Sequence, residues 1–184
     1  MPAIFLPKRK SVRLKHYDYN QKGTYFVTIC VYEHRHLLWN KIKGENMVSP
    51  VRLNKIGMMI DKWWQEIFEK YKDEIKLDEY IIMSNHIHGI IHIVGAIPCN
   101  RPNKSNIKNT YNGIGKYISW FKRMSTNEYI KNVKLNNWPP FNTRFWQRNY
   151  YEHVIRDEDD LLRVREYIIN NPINWDKDEY NIEK

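Results

Sequence analysis

The sequence predicts an α+β fold in which helices pack on one antiparallel β-sheet. The chain has 184 residues, of which 42% are hydrophobic, so it can bury the core of one domain. Segments rich in β-branched and aromatic residues alternate with amphipathic segments in the order strand, helix, strand, strand, helix, strand, and a further helix follows. This is the ferredoxin-like order. We therefore expect an antiparallel sheet with helices on one face, in a single domain over residues 1–184.

Hydrophobic periodicity places each element along the chain. Strands are expected where β-branched residues cluster, and helices where apolar residues recur every three or four positions. The predicted strands cover residues 24–32, 76–83, the run after Asn85, and 145–155. The predicted helices cover residues 53–71 and 113–130, and a last helix begins with Asp157 as its N-cap and ends before Pro172.

Two segments, both of net positive charge, fall outside this alternation of strands and helices. Residues 1–22 form a basic N-terminal arm, and residues 95–112, rich in Asn, Lys and Pro, are predicted to form a mobile loop. The net charge is +9, which favours a polyanionic partner such as nucleic acid. The alternative is a charged surface that keeps the protein in solution without any such partner.

Composition argues against several other classes of protein. No run approaches the roughly 18 consecutive apolar residues of a membrane-spanning helix. The apolar stretch at the N-terminus is too short for a signal peptide and precedes the charges. The two cysteines, Cys30 and Cys99, give neither a disulfide framework nor a cysteine-rich zinc site. We therefore expect a cytoplasmic protein with no membrane partner.

His86 and His88 lie two residues apart in an isoleucine-rich run that is typical of a buried strand. Residues i and i+2 of a strand point to the same face, so both imidazoles are directed to one place. That pattern suits a metal ion, whereas the alternative is a pair of core histidines with satisfied nitrogens. His92 points to the same face but lies about 13 Å further along, too far to share one ion with His88.

Tyr167 and Asn171 are neighbours on the last predicted helix, because they are separated by four residues. Both fall at the edge of the apolar stripe formed by Leu161, Val164 and Ile168, at the boundary between core and solvent. Taken alone, such residues are more often a packed tyrosine with a bonded hydroxyl and an asparagine that caps the helix before a proline.

An ordered set of motifs over nearly the whole chain carries a more specific signal. The chain resembles the single-tyrosine HUH transposases, and within them the REP-associated tyrosine transposases. The motifs that carry this resemblance are residues 9–19, 25–30, 77–80, 83–91, 145–156 and 165–172. One departure is Ser84, since the family commonly has proline before the Asn-His pair. Serine at this position is expected to loosen a turn, and it replaces none of the residues that bind metal in the family.

The resemblance implies a role for each matching residue. His86 and His88 match the histidine pair that binds a divalent metal, and Asn171 matches the polar residue that completes the metal site. Tyr167 matches the nucleophile. The implied cofactor is Mg²⁺ or Mn²⁺, and the implied fold is the ferredoxin-like one.

The resemblance also implies an activity. The family cleaves single-stranded DNA beside hairpins through a 5′-phosphotyrosine intermediate, and it can rejoin the strands during DNA transposition. We expect single-stranded or hairpin DNA as the partner of a monomer, with a homodimer as the alternative. The basic residues expected to contact DNA phosphates are Arg9, Lys10, Arg13, Lys15, Lys116, Lys122, Arg123 and Arg148.

Two other functions remain open from the sequence. The first is a nucleic-acid-binding module without catalysis. The second is a zinc hydrolase, which would need a third strong ligand from His34, His36 or Asp78 in addition to the histidine pair.

Overall fold

The computed structural model describes residues 21–40, 53–95 and 113–181. Most of the predicted basic arm, with Arg9, Lys10, Arg13 and Lys15, lies outside the described residues, and so does the predicted loop from residue 96 to 112. The described elements are β1 (Gly23–Cys30), α1 (Lys55–Tyr71), β2 (Ile75–Ile82), β3 (His86–Ile93), α2 (Ile114–Asn136), β4 (Tyr151–Ile155) and α3 (Glu158–Asn170). No helix in these ranges is long and apolar enough to cross a membrane.

The four strands form one sheet in the order β2-β3-β1-β4, and each neighbouring pair is antiparallel. This arrangement confirms the predicted α+β class and the ferredoxin-like order. The two central strands, β1 and β3, pair Cys30 with His86 and Thr28 with His88. The histidine pair therefore lies at the centre of the sheet, where the backbone is held on both sides.

Alternation along the central strands divides the core into two parts. Tyr25, Val27 and Ile29 of β1 belong to the larger core, which also contains buried residues of α1 and α2. Phe26 belongs to a smaller core with Val164 and Ile168 of α3. The expectation of helices on one face thus holds for α1 and α2, while α3 covers the opposite face, where the histidine pair points.

Helix α2 is longer than the sequence predicted, since it continues beyond residue 130 to Asn136. Val133, in the added part of the helix, packs against the larger core, and the Tyr129 hydroxyl donates to the Pro139 carbonyl of the segment that follows the helix. The helix ends at Asn137, which adopts the left-handed conformation with a φ of 52°.

Strand β4 is shorter than predicted, because residues 145–150 do not join the regular ladder. Phe145 and Trp146 are nevertheless buried. The Trp146 indole donates to the Ser125 hydroxyl of α2 at 2.9 Å, so this segment packs through its side chains. Aromatic content alone is therefore a poor guide to where a strand begins. The predicted N-cap of α3 is confirmed, since Asp157 accepts a hydrogen bond from the Asp160 amide.

Gly89 provides a test of how closely α1 packs on the sheet. A methyl group at this position would overlap the indole ring of the fully buried Trp64. We expect Gly89→Ala to lower the free energy of unfolding by about 1–3 kcal/mol, because neither the strand nor the ring can move freely. Urea unfolding measures this change.

Gly23 provides the matched control in the same sheet. An added methyl group there meets only ordinary contacts of about 3.4 Å with the Tyr25 side chain. Gly23→Ala should change the free energy of unfolding by about 0.5 kcal/mol or less. Equal losses in the two variants would show that the packing of Trp64 on Gly89 is not the cause.

Candidate metal centre and nucleophile

The histidine pair forms a buried nitrogen site on the α3 side of the sheet. His86 and His88 are 0% and 1% exposed, and their Nε2 atoms lie 2.9 Å apart. Both side chains come from the same strand face, as the spacing of two predicted. The strand therefore brings two lone-pair nitrogens to one point without help from a loop.

Neighbouring side chains fix the outer nitrogen of each ring. The Asn85 amide group donates to the carbonyls of His34 and Tyr180, which leaves its oxygen to accept from His86 Nδ1 at 2.8 Å. With Nδ1 protonated, His86 Nε2 carries a lone pair directed inward. Such a partner orients a ligating imidazole and sets its tautomer.

His88 has a partner that suits either tautomer. Its Nδ1 lies 2.8 Å from the hydroxyl of buried Thr28, and a hydroxyl can donate or accept. When Thr28 donates, His88 Nε2 carries the hydrogen and can donate to His86 Nε2. When Thr28 accepts, both Nε2 atoms present lone pairs, and a cation between them removes the repulsion.

Burial keeps both rings neutral. It lowers the pKa of His88 to about 3, and it lowers the pKa of His86 well below its usual value, assisted by the nearby His88, His34 and His36. Protons therefore compete poorly for the two Nε2 atoms at neutral pH. Metal ligation requires this unprotonated form of histidine.

The donor set fits a divalent cation. Two ligand nitrogens at right angles, each about 2.1 Å from an ion, would lie about 3.0 Å apart, close to the 2.9 Å between these Nε2 atoms. Asp178 brings a carboxylate to the same point, since ligand atoms of His86, His88 and Asp178 all lie within 4.8 Å of one another. Mixed nitrogen and oxygen ligands suit several divalent ions.

Asp178 was not among the residues that the sequence indicated. It follows a 3-10 turn, Trp175–Lys177, in a segment without helical or strand periodicity, so no pattern pointed to it. The Asn171 amide donates to Asp178 Oδ2 at 3.1 Å, and the backbone N–H of Tyr180 donates to Oδ1. Burial raises the pKa of the Asp178 carboxyl, while these two hydrogen bonds lower it.

Asn171, the predicted third ligand, lies beside the same centre. It is 3% exposed, and its Oδ1 is buried without a hydrogen-bond partner in the described parts of the chain. A buried carbonyl oxygen without a partner is costly, and a cation would satisfy it. Asn171 and Asp178 are thus both available to complete the donor set.

The C-terminal segment, residues 171–181, also covers the histidine pair. The Tyr180 ring lies 4.8 Å from the His86 ring and 5.7 Å from His34, measured between centroids. The buried Trp175 ring lies 5.9 Å from His86. These two aromatic rings help to explain why the polar side chains of His86 and His88 are nearly inaccessible to solvent.

Tyr167 of α3 reaches the same centre from the helix side. Its hydroxyl lies 3.4 Å from His88 Nε2, and its ring contacts Phe26 edge-on. Burial raises the pKa of this phenol, and the carboxylates of Asp178 and Glu179 raise it further. The structure thus brings Tyr167, Asn171 and the histidine pair together, with the phenol in its protonated form.

The four described basic residues on the predicted DNA surface fall into two groups. Arg123 and Arg148 are exposed. Lys116 pairs with Glu74 at 2.6 Å, and Lys122 donates to the carbonyls of Gln147 and Asn149. The charges of both lysines thus have partners inside the protein.

The histidines and acid considered as extra zinc ligands have other contacts. The His36 ring bonds to the Ser84 hydroxyl through Nδ1 at 2.7 Å, and Gln147 lies within hydrogen-bond distance of His34. Asp78 is held by Arg165 and His92. Asp178, and none of these three, is grouped with the histidine pair among the described residues.

Comparison with known proteins gives one close relative in sequence. No protein-family model matches the chain. A Haemophilus influenzae protein, described as an uncharacterized protein, is 37% identical over 182 residues, which cover 95% of this chain and 94% of the relative. This degree of identity over nearly the full length of both chains places them in one family.

Comparison with solved structures identifies the fold. The structure of a REP-associated tyrosine transposase bound to a REP hairpin aligns with a TM-score of 0.54, covering 89% of this chain and 74% of that one. The sequences are 14% identical over this alignment. The chain therefore belongs to one family with the Haemophilus influenzae protein, and its fold is that of the REP-associated tyrosine transposases.

Proposed function

We propose that this protein is a transposase that cleaves and rejoins single-stranded DNA, with Tyr167 as the nucleophile. The observation that carries the proposal is the 3.4 Å distance between the Tyr167 hydroxyl and His88 Nε2. A phenol and a potential metal centre this close could act on the same phosphate group. The shared fold with a transposase that was solved on a REP hairpin supports the same conclusion.

The proposed reaction exchanges one phosphodiester for another. The Tyr167 oxygen attacks the phosphorus atom, a bond forms between them, and the bond to the 3′-oxygen of the preceding nucleotide breaks. The phenol proton is transferred in the end to that 3′-oxygen. The products are a 5′-phosphotyrosine and a free 3′-hydroxyl, and reversal of the step joins strands without an external energy source.

The residues around the centre would hold and orient the reactants. His86 and His88, with Asp178 or Asn171, would hold Mg²⁺ or Mn²⁺, which when bound would supply Lewis acidity toward the phosphate. Asn85 and Thr28 keep the two imidazoles in place. Because imidazole ligands favour Mn²⁺ over Mg²⁺, we expect Mn²⁺ to bind more tightly.

The proton of Tyr167 opposes attack in the observed arrangement. The raised pKa keeps the phenol protonated at neutral pH, and His88 is a weak acceptor because its own pKa is about 3. The carboxylates of Asp178 and Glu179 oppose ionisation of the phenol. Activation therefore requires positive charge at the centre or movement of these two acids.

DNA binding is proposed to use the basic surface of the chain. Arg123 and Arg148 are exposed and free to reach phosphates, together with the residues of the basic arm. Lys116 and Lys122 would contribute only by leaving their present partners. A hairpin beside the cleaved strand is the proposed recognition feature, by analogy with the hairpin-bound relative in fold. Affinity should fall steeply as salt rises.

Replacing Tyr167 by phenylalanine tests the nucleophile. The variant keeps the packing against Phe26 but removes the attacking oxygen, so it should form no covalent adduct with single-stranded hairpin DNA in Mn²⁺. The adduct is measured as a protein–DNA band that resists denaturant. Tyr80→Phe is the matched control, because Tyr80 is a half-buried tyrosine whose ring lies 6.0 Å from Trp64 on the α1 side.

The wild-type protein and Tyr80→Phe should give equal adduct bands. An adduct of normal yield in Tyr167→Phe would exclude this residue as the nucleophile. A wild-type protein that binds hairpin DNA but never forms an adduct would favour the binding module without catalysis.

Metal binding should stabilise the folded protein through the histidine pair. At Mn²⁺ a hundredfold above its Kd, the gain is about 2.7 kcal/mol, which raises the Tm by about 5–10 °C. His88→Ala should abolish this shift in a thermal unfolding experiment. His153→Asn is the control, since His153 bonds to Asp160 and lies outside the centre.

Asp178→Asn and Asn171→Leu separate the two candidates for the remaining ligand. Because Asn171 donates a hydrogen bond to Asp178, both variants should weaken Mn²⁺ binding, but loss of the true ligand should weaken it more than the cost of about 10–100-fold expected for loss of a ligand's hydrogen-bond partner. A Tm shift by Mn²⁺ that survives His88→Ala would contradict the assignment of the metal centre.

The carboxylate of Asp178 also keeps one rival function open. Two histidines and one aspartate are a common ligand set of catalytic zinc, so a zinc hydrolase has the third strong ligand that it requires. Metal analysis after purification and hydrolysis by Tyr167→Phe distinguish the two. Tightly bound stoichiometric zinc with hydrolysis independent of Tyr167 would favour the hydrolase.

A further inference from the structure

A second polar network joins α3 to the sheet on the same face as the histidine pair. Arg165 makes a bidentate contact with Asp78, in which Nε lies 3.1 Å from Oδ1 and a terminal guanidinium nitrogen lies 2.7 Å from Oδ2. His92 Nε2 donates to Asp78 Oδ2 at 2.7 Å, and its Nδ1 lies 2.9 Å from the Thr24 hydroxyl. Four side chains from β1, β2, β3 and α3 thus form one chain of contacts.

The backbone of β2 is shaped to direct Asp78 into this network. The pairing of β2 with β3 shifts register between Leu77 and Tyr80, and Asp78 lies within this irregularity. Its Oδ1 also accepts from the Glu79 amide at 2.7 Å. Irregularities of this kind redirect a side chain, and they are frequent beside functional sites.

The charge of Asp78 is firmly held in the ionised form. Burial alone would raise the pKa of its carboxyl, but the hydrogen bonds from Arg165 and His92 outweigh burial and lower it to about 2. The Asp78 side chain is 13% exposed and that of Arg165 is 34% exposed, so solvent screens the ion pair in part. A bidentate contact between guanidinium and carboxylate fixes the relative orientation of the two side chains as well as the distance between them.

Arg165 and Tyr167 project on opposite sides of the apolar stripe of α3. At 100° per residue, Arg165 lies to one side of Val164 and Ile168, and Tyr167 lies to the other. Arg165 therefore holds one flank of the helix against β2, while Tyr167 reaches the histidine pair from the other flank. A roll of the helix by about 10° would move an atom about 8 Å from its axis by about 1.4 Å.

We propose that Arg165, through Asp78 and His92, is a positioning residue that sets the roll of α3 and so the distance from the Tyr167 hydroxyl to the histidine pair. This inference rests on the proposed function. Arg165 affects the attack of Tyr167 on the phosphate by positioning the phenol, without itself contacting DNA. An error of about 1 Å in the position of a reacting group can slow a reaction about a hundredfold.

The test compares Arg165→Met with Arg163→Met on the same helix. Arg163 is 61% exposed and contacts Asp160 at 3.4 Å, so it matches Arg165 in charge and helix position but not in its partner. The rate of adduct formation is measured in a single turnover at saturating hairpin DNA and Mn²⁺. Arg165→Met should slow it at least about tenfold, with the Kd values for DNA and Mn²⁺ unchanged within about twofold. Arg163→Met should match wild type.

Two further variants keep the inference testable if Arg165→Met folds poorly. Arg165→Lys keeps the positive charge but cannot make the bidentate contact with Asp78. It should therefore give an intermediate rate of adduct formation. Asp78→Asn should slow the reaction as Arg165→Met does, and the double variant should be no slower than either, because the two residues act as one unit.

Other outcomes would overturn the inference. Wild-type rates in Arg165→Met and Asp78→Asn would show that the network does not position the phenol. A weaker Kd for DNA with an unchanged rate would show that Arg165 contacts phosphate instead. Both outcomes differ from failure of the proposed function, in which the wild-type protein itself forms no adduct.

Discussion

Two imidazole nitrogens held 2.9 Å apart at the centre of the sheet are the constraint on which the rest of the site depends. The pairing of β1 with β3 fixes their backbone, and Asn85 and Thr28 fix their outer nitrogens. Burial removes the protons that would otherwise occupy the lone pairs. The two neutral nitrogens can share one hydrogen bond when His88 Nε2 carries the hydrogen, and in the other tautomer a divalent cation would satisfy both lone pairs.

The C-terminal segment balances two opposite electrostatic effects. Asp178 supplies negative charge that would strengthen the hold on a cation. The same charge raises the pKa of the Tyr167 phenol and so opposes its ionisation. A cation at the histidine pair would offset this penalty, because it acts on the carboxylate and the phenol at once. In the proposed mechanism, metal binding and ionisation of Tyr167 would therefore be coupled through the Asp178 carboxylate.

The sequence predicted those parts of the site that follow a regular period. The two-residue repeat of a strand placed His86 and His88 on one face, and the four-residue spacing of a helix placed Tyr167 beside Asn171. The roles expected of Tyr167 and Asn171 came from the resemblance to the transposases. Asp178 was missed because it follows α3 in a segment whose conformation is set by contacts with Asn171 and the Tyr180 backbone. Such contacts join distant or irregular parts of the chain and leave no periodic signal.

The fold, like the site, was predicted where the sequence is periodic and not where tertiary contacts decide the structure. The order of elements along the chain was predicted correctly, whereas the end of α2 and the start of β4 were not, because Val133 and Trp146 fix those segments through tertiary packing. The proposed metal centre places one cation between the paired imidazoles, beside the phenol. Anomalous diffraction at the manganese edge from crystals soaked in Mn²⁺ locates such a cation. We expect one strong peak within about 2.3 Å of both His86 Nε2 and His88 Nε2; a manganese peak elsewhere and none at this pair would show that the imidazoles do not hold the ion.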